Sequence, residues 1–222
     1  MPDPYAHWKQ FYSSRSAPTF PSQFAVFVQS WLRNTAVRLV EFGCGNGRDA
    51  EFFWAQQHEI IATDQLIVDD LWSWNERERF TVVQGPVQET SASIFGPLGP
   101  TELPVVVYSR FFQHSIEEEV EKVMFHNLSQ ALPPDSTLFF EFRLDQDSDR
   151  PKVFGGHFRR FPNAEEFVGR AEEFGLRCVY HCQGQGYAMF GSEDPYIGRF
   201  VLTNAEADSA STAVAYAGPS QA

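Results

Sequence analysis

The chain has 222 residues, 43% of them hydrophobic, which is enough for one α/β domain with a substantial core and too little for two domains of ordinary size. Its 17 basic residues against 29 acidic ones give a net charge of -12, which disfavours a nucleic-acid partner. Residues 1–20 lack the basic start and apolar run of a leader peptide, and no later segment approaches the ~20 apolar residues of a membrane span, so we expect a cytoplasmic protein with no membrane partner.

The chain has three cysteines, Cys44, Cys178 and Cys182, which cannot all be paired with one another. None of them stands in a C-x-x-C or Cys/His arrangement with the spacing of a zinc site. We therefore expect reduced thiols and no bound metal.

Strands and helices alternate from residue 37 onward. Hydrophobic periodicity predicts a strand at residues 37–42, a helix at about 47–57 and a second strand at 59–63, which together form a βαβ opening. The pattern then predicts a helix at 67–78 and strands at 80–84 and 105–108.

A long amphipathic helix is predicted for residues 115–132. Glutamates occupy its first turns, where the positive end of the helix dipole favours acidic side chains. Pro133 and Pro134 end the helix, since proline cannot continue it. The expected apolar face carries Ile116, Val120, Val123, Met124 and Leu128.

The remaining elements complete one domain. We expect a strand at 137–142, a helix from the N-cap Asn163 to Phe174 with Gly175 as its stop, and a closing pair of strands at 176–182 and 197–202. This alternation indicates an α/β, Rossmann-like, doubly wound and mostly parallel seven-stranded sheet with an antiparallel last strand. The domain spans residues 1–204, of which about 1–30 form an N-terminal aromatic lid, and the small polar residues 205–222 are expected to form a disordered tail.

Three glycines, Gly43, Gly45 and Gly47, follow the first predicted strand. A glycine turn at this place lets a ligand approach the backbone and the free N–H groups of the next helix. The G-x-G-x-G spacing differs from the dinucleotide fingerprint G-x-G-x-x-G, which counts against NAD. Asp64 ends the second strand, where an acid would bind both hydroxyls of a ribose. The alternative is that the glycines merely form a tight strand-to-helix turn.

Residues 37–53, VRLVEFGCGNGRDAEFF, resemble motif I of class I S-adenosylmethionine (SAM) dependent methyltransferases, and residues 60–65, IIATDQ, are similar to their next acidic motif. The resemblance implies SAM as the cofactor and S-adenosylhomocysteine (SAH) as the product. In the family an acid after the third strand helps to hold adenine, but residues 84–87 read QGPV here, so the backbone N–H of Val87 and the side chain of Gln88 are left for that contact. The cofactor-binding residues that the resemblance implies are Glu41, Gly43, Cys44, Gly45, Gly47, Arg48, Asp49, Asp64, Gln65, Val87 and Tyr108.

Further motifs extend the resemblance over most of the chain. They include H-W-x-x-F-Y at residues 7–12, Y-S-R-F-F-x-H-x-I at 108–116, H-F-R-R-F at 157–161 and E-D-P-Y-I at 193–197. The pattern is similar to a group of small methyltransferases that includes phosphonate O-methyltransferases of natural-product pathways and a methyl-capping module of a bacterial O-antigen chain terminator. The resemblance therefore implies O-methylation of a small metabolite that carries a phosphonate or phosphate.

Basic residues cluster after the fifth predicted strand, at the sheet edge where ligands of open α/β folds bind. The planar fork of arginine suits phosphate and phosphonate oxygens. Aspartates interleave with the same cations, so a solvated surface loop is the alternative interpretation, above all for Arg150 and Lys152. Five of the 17 basic residues lie in this cluster: Arg143, Arg150, Lys152, Arg159 and Arg160.

Arg110 and His114 follow the fourth predicted strand, and Tyr12 belongs to the N-terminal aromatic segment, which either packs on the domain or covers the site. An ionised phosphorus oxygen needs no strong base, whereas an alcohol or phenol would need one, with His114 or His157 as the candidate. The predicted acceptor-side residues are Tyr12, Arg110, His114, Arg143, His157, Arg159 and Arg160.

Three other functions stay open: a methyltransferase for another small carboxylate or hydroxyl acceptor, a non-catalytic SAM-binding module, and a nucleotide-dependent oxidoreductase. As a partner we expect a small anionic substrate, and as the oligomeric state a monomer or a homodimer.

Overall fold

A computed structural model of the chain describes residues 7–8, 11, 18–93, 101–150, 152 and 158–204. Its centre is a seven-stranded sheet with the order β3-β2-β1-β4-β5-β7-β6. The strands are β1 (Arg38–Phe42), β2 (Glu59–Asp64), β3 (Phe80–Gln84), β4 (Val105–Arg110), β5 (Thr137–Arg143), β6 (Leu176–Gly184) and β7 (Ile197–Asn204). The first five strands pair in parallel, and β7 pairs antiparallel with both β5 and β6. The predicted doubly wound sheet is therefore confirmed.

Six α-helices lie from end to end within the residues that the structure describes. They are α1 (Gln23–Leu32), α2 (Arg48–Ala55), α3 (Asp69–Trp72), α4 (Val87–Ser93), α5 (Glu118–Ala131) and α6 (Ala164–Glu173). The predicted cap of α6 is confirmed, because the side chain of Asn163 accepts from the N–H of Glu165 at 2.9 Å. None of these helices is long and apolar enough to cross a membrane.

Buried apolar side chains fill both faces of the sheet. On one face they join β1, β4 and β5 to α5 and α6, with Phe125, Phe140 and Phe167 at the centre. On the other face they join the sheet to α1 and α2, with Phe24 and Phe53 at the centre. Layers on both faces leave the carboxyl edge of the parallel strands as the place where loops can build a site.

Several elements differ from the sequence prediction. Helix α1 was not expected, yet its N-cap Ser22 is buried and its apolar side, including Val28, belongs to the core. Residues 23–30, part of the predicted lid of about residues 1–30, belong to this helix and lie in a layer of the fold. Helix α4 was not expected either, and the predicted helix at 67–78 is only the short α3 followed by a 3₁₀ turn at Ser73–Glu76. In α5, Val123 is exposed and Phe125 takes its place in the core.

Candidate functional site

A cavity of about 350 Å³ opens at the carboxyl edge of the sheet. It lies where the chain leaves the neighbouring strands β1 and β4. The strand order reverses between these two strands, since β2 and β3 follow on the side of β1 and β5 follows on the side of β4. Open α/β sheets bind their ligands at such a switch point. Many of the predicted site residues line it: Glu41, Gly43, Cys44, Arg48, Asp49, Asp64, Gln65, Arg110, His114, Arg143 and Arg159.

The glycine turn after β1 requires glycine at two close contacts. Gly43, Gly45 and Gly47 have φ angles of 77°, 57° and 75°, a left-handed region that side chains disfavour. A Cβ on Gly43 would lie 2.6 Å from Cδ2 of Phe112, and one on Gly47 would lie 2.6 Å from Cδ1 of Leu71. The turn therefore presents bare backbone to the cavity at Gly43, and it ends at Gly47, the N-cap of α2.

Glu41 places a carboxylate in the cavity wall directly before this turn. Its side chain is 3% exposed, and its Oε2 has no hydrogen-bond partner among the residues that the structure describes. Burial raises the pKa of Glu41 well above its usual value, and the nearby carboxylate of Asp49 adds to the rise. A buried carboxylate oxygen of this kind fits a ligand that brings its own positive charge, such as an ammonium group.

Asp64 ends β2 and stabilises the glycine turn. Its Oδ2 accepts from the N–H of Gly45 at 2.9 Å, and its Oδ1 accepts from the N–H of Leu66 at 2.9 Å. Burial raises the pKa of Asp64, although these backbone hydrogen bonds oppose the rise. Asp64 thus has a structural role besides any contact with a ligand.

A second cavity of about 190 Å³ adjoins the first, and the two share wall residues such as Gly43 and Asp64. Val87, the first residue of α4, lies in its wall with Gln88, as the prediction of an adenine contact requires. Glu117, the N-cap of α5, also lines it. This acid comes from the loop after β4, not from the end of β3, where the family pattern has one.

Tyr108 does not line the cavity, which corrects the prediction that it contacts a cofactor. Its ring lies in the core, 5.1 Å from the ring of Phe24 and 5.1 Å from that of Phe53. Its hydroxyl donates to Oδ2 of Asp49 at 2.7 Å. Asp49 lies at the cavity but also accepts from the backbone N–H and the hydroxyl of Ser22, so its oxygens serve to join α2 to α1.

Arginines surround an aromatic ring, that of Phe111, in the wall of the cavity. The guanidinium carbon of Arg110 lies 4.3 Å from the centre of the Phe111 ring, and that of Arg143 lies 5.6 Å from it. Phe111 has a φ of 54°, a left-handed conformation that is strained for a bulky residue and is typical of functional sites. The buried His114 packs edge-on against the same ring at 5.4 Å.

Buried carboxylates fix two of these arginines. Arg110 donates to Oε1 of Glu141 at 2.8 Å, while Oε2 of Glu141 accepts from Arg199 of β7 at 2.7 Å. Arg143 donates to Asp147 at 2.6 Å and to Glu193 at 2.7 Å. Their guanidinium groups are therefore held in place before any ligand binds.

Arg48, Arg110, Arg143 and Arg159, which we call the cavity arginines, all line the cavity. Burial lowers the pKa of Arg159, and the nearby charge of Arg143 lowers it further. The carboxylates of Glu193 and Asp147 oppose this lowering. Burial also lowers the pKa of Arg48, and the nearby charge of Arg110 lowers it further. Guanidinium groups in a cavity wall are suited to bind the oxygens of an anion.

Arg160 points away from the cavity, which corrects its assignment to the acceptor. Its Nη2 donates to Oε2 of Glu121 at 2.6 Å, and its backbone N–H donates to the carbonyl of His114 at 2.8 Å. Glu121 is fully buried in α5 and also accepts from Arg170 at 2.9 Å. Arg160 therefore attaches the segment that carries Arg159 to the helix behind the site.

Lys152 also has a structural place. It lies 3.2 Å from Oδ2 of Asp147, whereas Arg150 is largely exposed. The alternative interpretation, in which these two cations pair with the interleaved aspartates, fits the contacts, but Asp147 is fully buried and not part of a solvated loop. Tyr12 and His157 lie outside the described residues, as do residues 205–222, so those predictions stay predictions.

The cavity also has an apolar wall. It comes from the N-terminal segment, which the sequence predicts to be an aromatic lid, and from the loop between β6 and β7. No sequence prediction assigns that loop to the site, although the E-D-P-Y-I motif lies at its end. His7, Trp8 and Phe11 are in edge-on ring contact within it. The apolar residues of the cavity wall from these two segments are Trp8, Phe11, Pro18, Phe20, Pro21, Tyr187, Ala188, Met189, Phe190 and Pro195.

No group of three or more possible metal ligands occurs in the part of the chain that the structure describes. No protein-family model matches the chain, and no curated protein matches its sequence.

Solved structures share the fold at low sequence identity. One is the Burkholderia thailandensis 1,6-didemethyltoxoflavin-N1-methyltransferase with bound 1,6-didemethyltoxoflavin and SAH, at a TM-score of 0.66 and 16% identity over 88% of this chain and 84% of that one. Another is a SAM-dependent methyltransferase from Anabaena variabilis, at a TM-score of 0.65 and 15% identity over 91% of this chain and 95% of that one. A third is a TehB-like SAM-dependent methyltransferase from Corynebacterium glutamicum, at a TM-score of 0.58 and 16% identity over 89% of this chain and 94% of that one. The chain therefore has the fold of SAM-dependent methyltransferases.

Proposed function

We propose that this chain is a SAM-dependent O-methyltransferase that methylates an anionic oxygen of a small metabolite bearing a phosphonate or phosphate. One observation carries the proposal. A single cavity is lined both by the buried, unpartnered carboxylate oxygen of Glu41 beside the glycine turn and by the four cavity arginines. The first half of the cavity suits a cofactor with an ammonium group, and the second half suits an anion.

The residues of the first half fit SAM. The carboxylate of Glu41 would receive the ammonium group, and the bare backbone at Gly43 would lie against the amino-acid part. Asp64 would bind the ribose hydroxyls, and the wall at Val87 would receive adenine. When bound, SAM supplies a methyl group on a positively charged sulfur, which an oxygen nucleophile can take.

The residues of the second half would hold and orient the acceptor. Arg143 and Arg159 would bind the oxygens that do not react, because guanidinium groups form paired hydrogen bonds with such oxygens. An ionised phosphorus oxygen is already a nucleophile, so the chain need only place it and exclude water. Aromatic side chains of the N-terminal segment and the β6–β7 loop would provide the exclusion.

A second candidate function is the methylation of another small acceptor, such as a carboxylate or a hydroxyl. The buried position of His114 in the cavity wall favours it, since a neutral hydroxyl needs a base. A non-catalytic SAM-binding module and a nucleotide-dependent oxidoreductase are the further alternatives.

Calorimetric titration with SAM, SAH and NAD⁺ tests the cofactor. We expect SAM and SAH to bind. Asp64→Asn should weaken the binding free energy of SAM by about 1.5–3 kcal/mol, a value typical of a hydrogen bond to a charged group. Glu119→Gln, on the exposed side of α5, is the matched control and should bind SAM normally. Preference for NAD⁺ would contradict the proposal.

SAH formation with methylphosphonate, acetate and phenol tests the acceptor. We expect turnover with the phosphonate, and we expect Arg159→Ala to raise its KM while the dissociation constant of SAM stays unchanged. Turnover with acetate or phenol alone would support the second candidate. SAM binding without SAH formation from any acceptor would indicate the non-catalytic module.

A further inference from the structure

The mouth of the cavity carries the most exposed large apolar side chains in the described part of the chain. Phe20 is 69% exposed and Met189 is 62% exposed, and both line the cavity. Phe158, which is 51% exposed, directly precedes the cavity residue Arg159. Large apolar groups left in water next to a site commonly mark a surface that a ligand or partner covers.

The charged side chains that line this cavity are less exposed than the large apolar side chains at its mouth. Among the charged side chains in its wall, Glu41, Asp49 and Arg143 are buried and the others are half-buried. Phe20 and Met189, in contrast, are open to solvent. A small, fully polar acceptor would occupy the buried charged part and leave the mouth uncovered. A longer acceptor with an anionic end and an apolar body would match both parts at once.

We infer that the methyl acceptor is amphipathic, with an anionic head group and an alkyl or aryl body that lies against Phe20 and Met189. This inference rests on the proposed function and narrows its substrate class. The two side chains belong to the wall of the same cavity as the arginines, so one molecule can reach both. Methionine adapts its shape to varied apolar partners, so the mouth should select for apolar surface and not for one shape.

The apolar body should contribute to catalysis through binding. Each methylene group that leaves water gains about fourfold in affinity, the factor that corresponds to about 0.8 kcal/mol. Binding energy from a part of the substrate that does not react can also raise kcat when it helps to orient the reacting group. We therefore expect kcat/KM to depend on the length of the apolar body, a dependence that the charged half of the site cannot produce.

The test compares methyl-, butyl- and octylphosphonate, the last below its micelle concentration, as acceptors for SAH formation. We expect kcat/KM to rise at least tenfold from methyl- to octylphosphonate. Calorimetric binding of the same compounds to the SAH-loaded protein gives a readout that does not need turnover. Equal values along the series in both measurements would overturn the inference. Octylamine, which has the same body and the opposite charge, should not bind.

Substitutions locate the effect. Phe20→Ser and Met189→Ser should each lower kcat/KM for octylphosphonate by about fivefold or more, with a smaller change for methylphosphonate. Val123→Ser, an exposed apolar position on α5 outside the cavity wall, is the matched control and should change neither. If both substitutions alter the oligomeric mass in light scattering and leave octylphosphonate unaffected, the mouth is an interface with a second copy and the inference is wrong.

Failure of the inference and failure of the proposed function are distinguishable. Tighter binding of octylphosphonate than of methylphosphonate without SAH formation would support the amphipathic ligand and contradict methyl transfer. Turnover of all three phosphonates at equal kcat/KM, with equal binding, would support methyl transfer and contradict the amphipathic ligand.

Discussion

Ser22 holds Asp49 by two hydrogen bonds of 2.7 Å, one from its backbone N–H and one from its hydroxyl. Ser22 is also the N-cap of α1, where its Oγ accepts from the N–H of Ala25 at 3.0 Å. Asp49 lies in the first turn of α2, directly after the glycine turn. One buried serine therefore caps a helix and joins it to the helix of the candidate cofactor site.

Ser22→Ala should lower the free energy of unfolding by about 1–2 kcal/mol, because it removes a helix cap and one of the buried bonds to Asp49. Urea denaturation measures the change. Ser30→Ala on the same helix is the matched control, since the Ser30 hydroxyl only donates to the exposed carbonyl of Val26. Equal losses in the two variants would show that the link to Asp49 contributes nothing.

Glu41→Gln should stabilise the ligand-free protein near neutral pH. The pKa of Glu41 is raised in the folded state above its usual 4.5, so the ionised carboxylate costs the folded state free energy at higher pH. As pH falls through the folded-state pKa toward the unfolded one, Glu41 becomes protonated and the advantage of glutamine should vanish. Urea denaturation of both proteins from pH 8 to pH 4.5 measures this difference.

Two further results check the assignment of Glu41. Glu119→Gln, at an exposed carboxylate, should show no comparable dependence on pH. Under the proposed function Glu41→Gln should also weaken SAM binding while it stabilises the protein. If the free energies of unfolding of the unmodified protein and of Glu41→Gln differ by the same amount at every pH, the carboxylate of Glu41 is solvated.

Arg160→Ala should destabilise the protein, whereas Arg159→Ala should not. Removing Arg160 leaves the fully buried Glu121 with Arg170 as its remaining close partner, at a cost of about 1–3 kcal/mol. Arg159 lies at the cavity and should affect acceptor binding instead. Thermal unfolding and acceptor kinetics of the two variants separate these roles. A loss of acceptor binding from Arg160→Ala at unchanged stability would contradict the structural role.

Gly43→Ala should destabilise the glycine turn. A left-handed residue with a side chain costs about 1–2 kcal/mol, and the new Cβ would also displace the ring of Phe112. Gly169→Ala is the matched control, because Gly169 lies inside α6 with no atom within 4 Å of a new Cβ. That change should stabilise the protein by about 0.5–1 kcal/mol. Destabilisation by both variants to the same degree would refute the close contact at Gly43.

Hydrophobic patterning predicted the strands well but not every helix. All seven strands were located because each carries a continuous or alternating apolar run. Helix α4 was missed because its sequence, VQETSAS, is small and polar and its stability comes from packing against α5 and β2. Helix α1 was missed because its aromatic residues were interpreted as a cover for the site and not as a core layer.

Side-chain direction could not be predicted at the site. Arg159 and Arg160 are adjacent in an extended segment, where successive side chains point to opposite sides, and no local signal says which one faces the cavity. Tyr108 was misplaced for a similar reason, since β4 is buried on both faces. The ion pair of Glu121 with Arg160 has no local signal in the sequence, since the two residues lie 39 positions apart in the chain.

The carboxylates that fix Arg110 and Arg143 have a consequence for the end of a reaction cycle. Since Glu141, Asp147 and Glu193 hold these cations in place, the positions of the two guanidinium groups do not depend on what is bound. Under the proposed reaction, methylation removes one negative charge from the acceptor. The unchanged cations then attract the ester less than they attracted its precursor, so the affinity of the site itself favours departure of the product.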